Sequence, residues 1–161
     1  MSNVYFASDH AGLALKRALI DYVRTLGLKT EDMGAFAHDP EDDYPDFVTP
    51  LAKRVGDELG SRGIIIGGSG QGEAMCANRI PDVRAAVFYG PMRVTETLEI
   101  EGGRSEDGYD LVRLARRHND ANVLSIGARF VSGAEATEAV RLFLNTPFSE
   151  SPRHARRLAK F

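Results

Sequence analysis

Cysteine is nearly absent from this sequence. The single Cys76 excludes an internal disulfide and a cysteine-built metal cluster. Histidine is scarce as well: His10, His38, His118 and His154 are the four, and none pairs with another ligand at zinc-site spacing. No apolar run approaches the length of a membrane span, and the amino terminus lacks the pattern of a signal peptide. Neither sign of charge dominates. Twenty basic against 23 acidic residues leave a net charge of −3, so no overall positive field draws nucleic acid. Internal repeats and low-complexity linkers are missing too. What remains, 161 residues with 43% hydrophobic and 27% charged, predicts one cytoplasmic domain with its own core, needing no metal.

The densest stretch is a glycine-rich loop, Gly67-Gly68-Ser69-Gly70-Gln71-Gly72, followed by Glu73. The apolar run Gly63-Ile64-Ile65-Ile66 before it reads as a buried strand, and Ala74 to Arg79 after it as the start of a helix. Glycines let backbone N–H groups approach an anionic oxygen. A carboxylate beside such a cradle is the minimal kit for removing a proton next to a carbonyl, one base with donors for the enolate. The same residues also suit a plain strand-to-helix connection, because the helix dipole alone favours Glu in a first turn. The loop lacks the third glycine of a dinucleotide fingerprint and the Gly-Lys-Ser/Thr end of a P-loop.

Strands are predicted at Val4–Ala7, Lys29–Met33, around Ile64, at Arg84–Tyr89 and at Asn122–Ile126. Helices are predicted over Leu13–Leu26, Phe47–Leu59, Asp110–Arg117, Gly133–Leu144 and Arg153–Lys160, with Ser132 and Glu135 as a capping box. Gly90 to Tyr109, acidic and bearing Gly102-Gly103, reads as an insertion that projects as a hairpin with a strand-like run from Thr95 to Ile100. The alternation gives an α/β fold, a three-layer αβα Rossmann-like domain whose five parallel strands take the flavodoxin-like order 2-1-3-4-5. Ligands bind at the switch point between strands one and three, outside their carboxyl ends. That brings Asp9, His10 and Glu73 to one crevice. His118 and Asn119 precede the fifth strand and fall at the opposite end of the sheet. If they take part in chemistry, they must serve a second subunit's crevice, which predicts a homodimer, or a tetramer, with shared sites.

Each candidate has a plainer alternative. Asp9-His10 also suits a solvated turn. Arg116, Arg117 and His118 suit a helix carboxyl end. Arg153 and Arg157, four apart on one face, suit either a phosphate or a solvated basic terminus. Cys76 sits in an apolar helical stretch and reads as packing.

Taken together, Ser8-Asp9-His10-Ala11-Gly12, Asp43-Tyr44-Pro45, Gly67 to Glu73, Ala77-Asn78-Arg79 and His118-Asn119-Asp120-Ala121-Asn122 resemble the type B ribose-5-phosphate isomerases, whose wider family includes galactose-6-phosphate isomerase subunits. The resemblance covers nearly the whole chain in order, apart from the segment 90–109. It implies interconversion of ribose 5-phosphate and ribulose 5-phosphate through a cis-enediolate, with no organic cofactor, no metal and no nucleic-acid or membrane partner. Some members carry a cysteine base at the end of the third strand, here Gly67; others carry a glutamate just past the glycine loop, which Glu73 matches. The backbone of Gly68, Gly70 and Gly72, with Ser69, then stabilises the enediolate. The resemblance further implies that Asp9 handles hydroxyl protons, that His118 opens the sugar ring and that Asn119 holds the enediolate. Tyr44 is a further substrate contact, and His10, Arg129, Arg153 and Arg157 hold the phosphate. Another sugar phosphate, a hexose 6-phosphate such as galactose or allose or a tetrose phosphate, is the neighbouring expectation. A non-catalytic sugar-phosphate-binding subunit is the expectation from another class.

Overall fold

The computed structural model describes residues 3–96 and 106–160. The strands are β1 (Asn3–Ser8), β2 (Lys29–Asp32), β3 (Arg62–Gly67), β4 (Ala85–Phe88) and β5 (Val123–Gly127). The helices are α1 (Leu13–Thr25), α2 (Pro45–Asp57), α3 (Gln71–Ala77), α4 (Asp110–Asn119), α5 (Gly133–Asn145) and α6 (Pro152–Leu158). A short 3-10 turn, His10–Gly12, joins β1 to α1. No helix among the described residues is long and apolar enough to cross a membrane.

Every strand pairing is parallel, and both faces of the sheet are covered. Side chains alternate across a strand, so one strand feeds two cores. Phe6, Ile64, Ile66, Leu124 and Ile126 meet Leu19 and Val23 of α1, Val112 of α4 and Val140 and Phe143 of α5. Tyr5, Ala7, Ile65 and Val123 meet Val48, Leu51 and Val55 of α2 and Ala77 of α3. This is why the strand sequences read as continuous apolar runs.

The strand order is β2-β1-β3-β5-β4, so the last two strands are exchanged relative to the expected 2-1-3-4-5. The physical reason lies in burial. All five residues of β5 are buried, whereas the four-residue β4 is only half-covered over Ala85–Val87 and takes the edge. The exchange leaves the switch point intact. β1 still lies beside β3; α1 covers one face and α3 the other, so the chain leaves the two strands in opposite directions and opens a crevice between them.

Local signals set most helix ends. Gly27, at φ +77°, follows the last turn of α1, and Ser132 closes a capping box with Glu135 at the start of α5. α2 starts earlier than the apolar period suggests, because Pro45 occupies its first position, where no N–H is needed. The described arms of the segment between β4 and α4, 90–96 and 106–109, carry neither helix nor strand, and they meet where Met92 N donates to Gly108 O at 2.9 Å. The strand-like run expected over 95–100 lies outside the described residues from 97 onward.

Candidate active site

At the carboxyl end of β3 the chain turns through the glycine loop into α3. Gly70 sits at φ +73°, a conformation that glycine adopts without strain. The loop is pinned from below: Ser125 Oγ donates to Gly70 O at 2.6 Å, Ala128 N donates to Gly67 O at 2.8 Å and Arg129 N to Gly68 O at 3.2 Å. Ser69 stays exposed, and its Oγ accepts from Gln71 N at 3.3 Å.

Glu73, in the first turn of α3, is only 4% exposed. Its carboxyl lies over Gly67: a side-chain carbon on that glycine would fall 1.6 Å from Glu73 Oε1. The carboxylate therefore fills the space that a side chain at the end of β3 would take. Burial pushes its pKa above the ordinary carboxylate value. A backbone hydrogen bond partly offsets this, and the negative charge of Asp9 adds to it.

Asp9 leaves the end of β1 and caps the 3-10 turn, Oδ1 accepting from Ala11 N at 2.9 Å and Gly12 N at 3.2 Å. The His10 ring is held by Asp42, with Nδ1 and Oδ1 2.6 Å apart. That hydrogen bond raises the imidazole pKa despite partial desolvation. Arg129 lays its guanidinium over Gly68, and Tyr44 brings its phenol against Gly72. Asp9, His10, Tyr44, Gly68, Ser69, Gly70, Gly72, Glu73 and Arg129 thus share one crevice. Asp9, His10 and Asp42 could each offer a ligand atom within 4.8 Å of the others. Asp9 Oδ1 and Asp42 Oδ1 are, however, already engaged by N–H groups, so the cluster has the character of a hydrogen-bonded ion-pair network.

The other four expected residues lie elsewhere. His118 and Asn119 end α4, before β5, and Arg153 and Arg157 lie on α6 beside them. The His118 ring packs against the buried His154 ring in a tilted pair, centroids 4.0 Å apart and planes at 38°. Burial lowers the His118 pKa, helped by His154, Arg153, Arg117 and Arg157. Within one chain these residues stand at the amino edge of the sheet, the length of β5 away from Glu73, about 16 Å at the usual rise per residue.

Four contributors carry no sequence signal. Asp42 meets His10 across 32 positions, and Ser125 meets Gly70 across 55. His154 is 7% exposed and packs against His118. Arg116 looked like a dipole-facing cation, yet it is 2% exposed and bonds Asp120 Oδ1 at 2.8 Å and Thr146 O at 3.1 Å. It thereby fixes the turn that carries His118 and Asn119. Only long-range pairing identifies such residues. Cys76 agrees with the packing reading: it is half-buried against the α2 side of the core, its Sγ 3.3 Å from Thr49 Oγ1.

Comparison with known proteins matches a sequence model described as Ribose/Galactose Isomerase to residues 4–103 and 106–161, the match breaking only inside the segment between β4 and α4. The chain belongs to the ribose/galactose isomerase family. This makes it an enzyme of the isomerase class. Among the family's curated members, the ribose-5-phosphate isomerase B of Mycolicibacterium paratuberculosis is 38% identical over 96% of this chain and 86% of its own. The probable ribose-5-phosphate isomerase B of Mycoplasma pneumoniae is 36% identical over 98% and 91%. The solved ribose-5-phosphate isomerase B of Mycoplasma genitalium, with bound ribulose-5-phosphate, superposes with a TM-score of 0.84 at 34% identity, covering 98% of this chain and 92% of its own. The type B enzyme of Trypanosoma brucei gives 0.84 at 30% identity over 99% and 96%. The α/β fold of this isomerase family is thus present from β1 to α6.

Proposed function

We propose that the protein interconverts ribose 5-phosphate and ribulose 5-phosphate, with Glu73 as the base. The observation that carries the reading is the Glu73 carboxyl, buried over Gly67 at the switch point and raised in pKa. Such a carboxyl holds a proton at a pH closer to neutrality, where one group can both take and return it. In the open-chain aldose, Glu73 takes the proton from C2. The electron pair forms the C1–C2 double bond of a cis-enediolate. The same proton returns to C1, while the O2 hydroxyl loses its proton and becomes the ketone and O1 gains one. Asp9, beside Glu73, handles the hydroxyl protons, and the amides of Gly68, Gly70 and Gly72 with Ser69 stabilise the developing oxyanion. Tyr44 lines the sugar, and His10 and Arg129 face the phosphate.

His118, Asn119, Arg153 and Arg157 complete the site from a second copy of the chain in a homodimer. His118, with its lowered pKa, is neutral near pH 7 and able to accept a proton during ring opening. The pentose substrate is supported by the relatives, which are named for ribose 5-phosphate, and by the ribulose-5-phosphate bound to the Mycoplasma genitalium protein. The test is turnover across four-, five- and six-carbon aldose phosphates. Ribose 5-phosphate is expected to give the highest kcat/KM; a hexose or tetrose phosphate exceeding it would overturn the pentose assignment.

A further inference from the structure

Asp42 precedes α2 in an acidic loop, and nothing in the local sequence distinguishes it from Asp39, Glu41 or Asp43. In the folded chain it differs from them. Its side chain is only 7% exposed, and Oδ1 accepts from both the His10 backbone N–H at 3.2 Å and the ring at Nδ1, 2.6 Å away. Among the described residues, Oδ2 is buried with no hydrogen-bond partner. A buried carboxylate with one oxygen unpartnered is unfavourable unless a cation compensates it. The His10 imidazole is the group placed to do so, and at 27% side-chain exposure it still faces the crevice.

We propose that Asp42 is a positioning residue for substrate binding: it grips His10 through Nδ1 and leaves Nε2 as the donor to the anionic end of the sugar phosphate. The inference rests on the proposed function, in which His10 faces the phosphate. The charged and aromatic surroundings of His10 fit this role. Asp9 from its own turn and Asp42 from the loop before α2 favour the imidazolium, whereas Arg129 from the segment after β5 opposes it. His38 packs edge-on, centroids 5.9 Å apart, without pairing charge with it. His10 and Arg129 are therefore like charges that sense each other, and Arg129 covers Gly68 of the glycine loop. An anion between the two removes that repulsion and gains two charged donors. A second consequence is pH-dependent: binding weakens as pH rises through the His10 pKa, because the imidazolium donor is lost while the negative Asp42 remains.

The experiment combines Asp42→Asn, His10→Gln and the double variant, with three readouts: ring titration of His10 by NMR, affinity for inorganic phosphate, and kcat and KM for ribose 5-phosphate. In the wild type His10 titrates above the ordinary imidazole value, and in Asp42→Asn that elevation is lost, because its largest cause is the Asp42 hydrogen bond. KM and the phosphate dissociation constant rise roughly 10-fold in Asp42→Asn, the scale of a hydrogen bond to a charged group, with kcat within about twofold. His10→Gln, which leaves Asp42 in place, reproduces the KM rise even if Asp42→Asn folds poorly, and the double variant loses no more than either single one. An unchanged His10 titration in Asp42→Asn overturns the proposal. So do losses that multiply in the double variant, which make Asp42 a structural residue. If the wild type does not turn over ribose 5-phosphate, the proposed function fails, and the inorganic-phosphate arm still decides the role of Asp42: weaker binding in Asp42→Asn supports it, and equal binding overturns it.

Discussion

At the scale of single residues, Glu73 is under two opposed demands. Burial keeps the proton on its carboxyl to higher pH than in the unfolded chain, where the value is about 4.5. A group with a raised folded pKa contributes stability that is full below its unfolded pKa and lost as pH rises through the folded one. Activity needs the deprotonated base and so rises through that same window. Glu73→Gln keeps the shape and removes both effects. Turnover should fall by at least ~10² while substrate still binds, in keeping with the loss of a general base. The melting temperature at neutral pH should rise by ~2 °C or more, with the difference vanishing in acid. Near-normal turnover in Glu73→Gln would remove it as the base. Gly67 is the partner of this argument. Gly67→Ala forces a methyl into the Glu73 carboxyl and should cost about 1–3 kcal/mol of stability, the usual penalty of overpacking. In a Glu73→Ala background the space is free, and denaturant titration should find the same change nearly neutral. Equal costs in the two backgrounds would mean that the carboxyl does not occupy this space.

At the scale of elements, periodicity read nearly everything that depends on local order. β1, β3 and β5 alternate between two cores, α1 and α5 follow the helical repeat, and the Ser132 capping box lies where its four-residue pattern puts it. The crevice was legible as well, since Asp9, His10 and Glu73 follow from which loops leave β1 and β3. What escaped is non-local. The exchange of β4 and β5 depends on which strand can be buried on both sides, a property of assembled neighbours. Asp42, Ser125 and Arg116 look like any surface Asp, strand Ser or dipole-facing Arg until partners 30 or more residues away are brought against them. On α6 the reading of Arg153 and Arg157 as one basic face agrees with their joint influence on His118. If that face holds the phosphate, Arg157→Ala should lower kcat/KM for ribose 5-phosphate by roughly 10–100-fold, the scale of a charge-assisted hydrogen bond. The effect on unphosphorylated ribose should be much smaller. Equal losses on both sugars would make Arg157 a structural residue of α6.

At the scale of the whole molecule, the candidate residues of one chain stand at two edges of the sheet, the length of β5 apart. Glu73, Asp9 and His10 stand at the carboxyl edge of the sheet; His118, Asn119 and the α6 arginines stand at the amino edge. Arg116 bonds Asp120 and Ala121, and Arg84 pairs with Asp120, which ties the turn carrying His118 and Asn119 to the start of β5. In the homodimer proposed above, a two-fold pairing that sets the amino edge of one chain against the carboxyl edge of its partner would make two complete sites at once. Complementation tests this. Glu73→Gln and His118→Ala homodimers should each be poor with the cyclic sugar phosphate. After subunit exchange, each heterodimer holds one site with both defects and one with neither, so activity should climb towards half of wild type per heterodimer. Exchange without recovery would assign all the chemistry to the carboxyl edge of a single chain and leave His118 as a packing partner for His154.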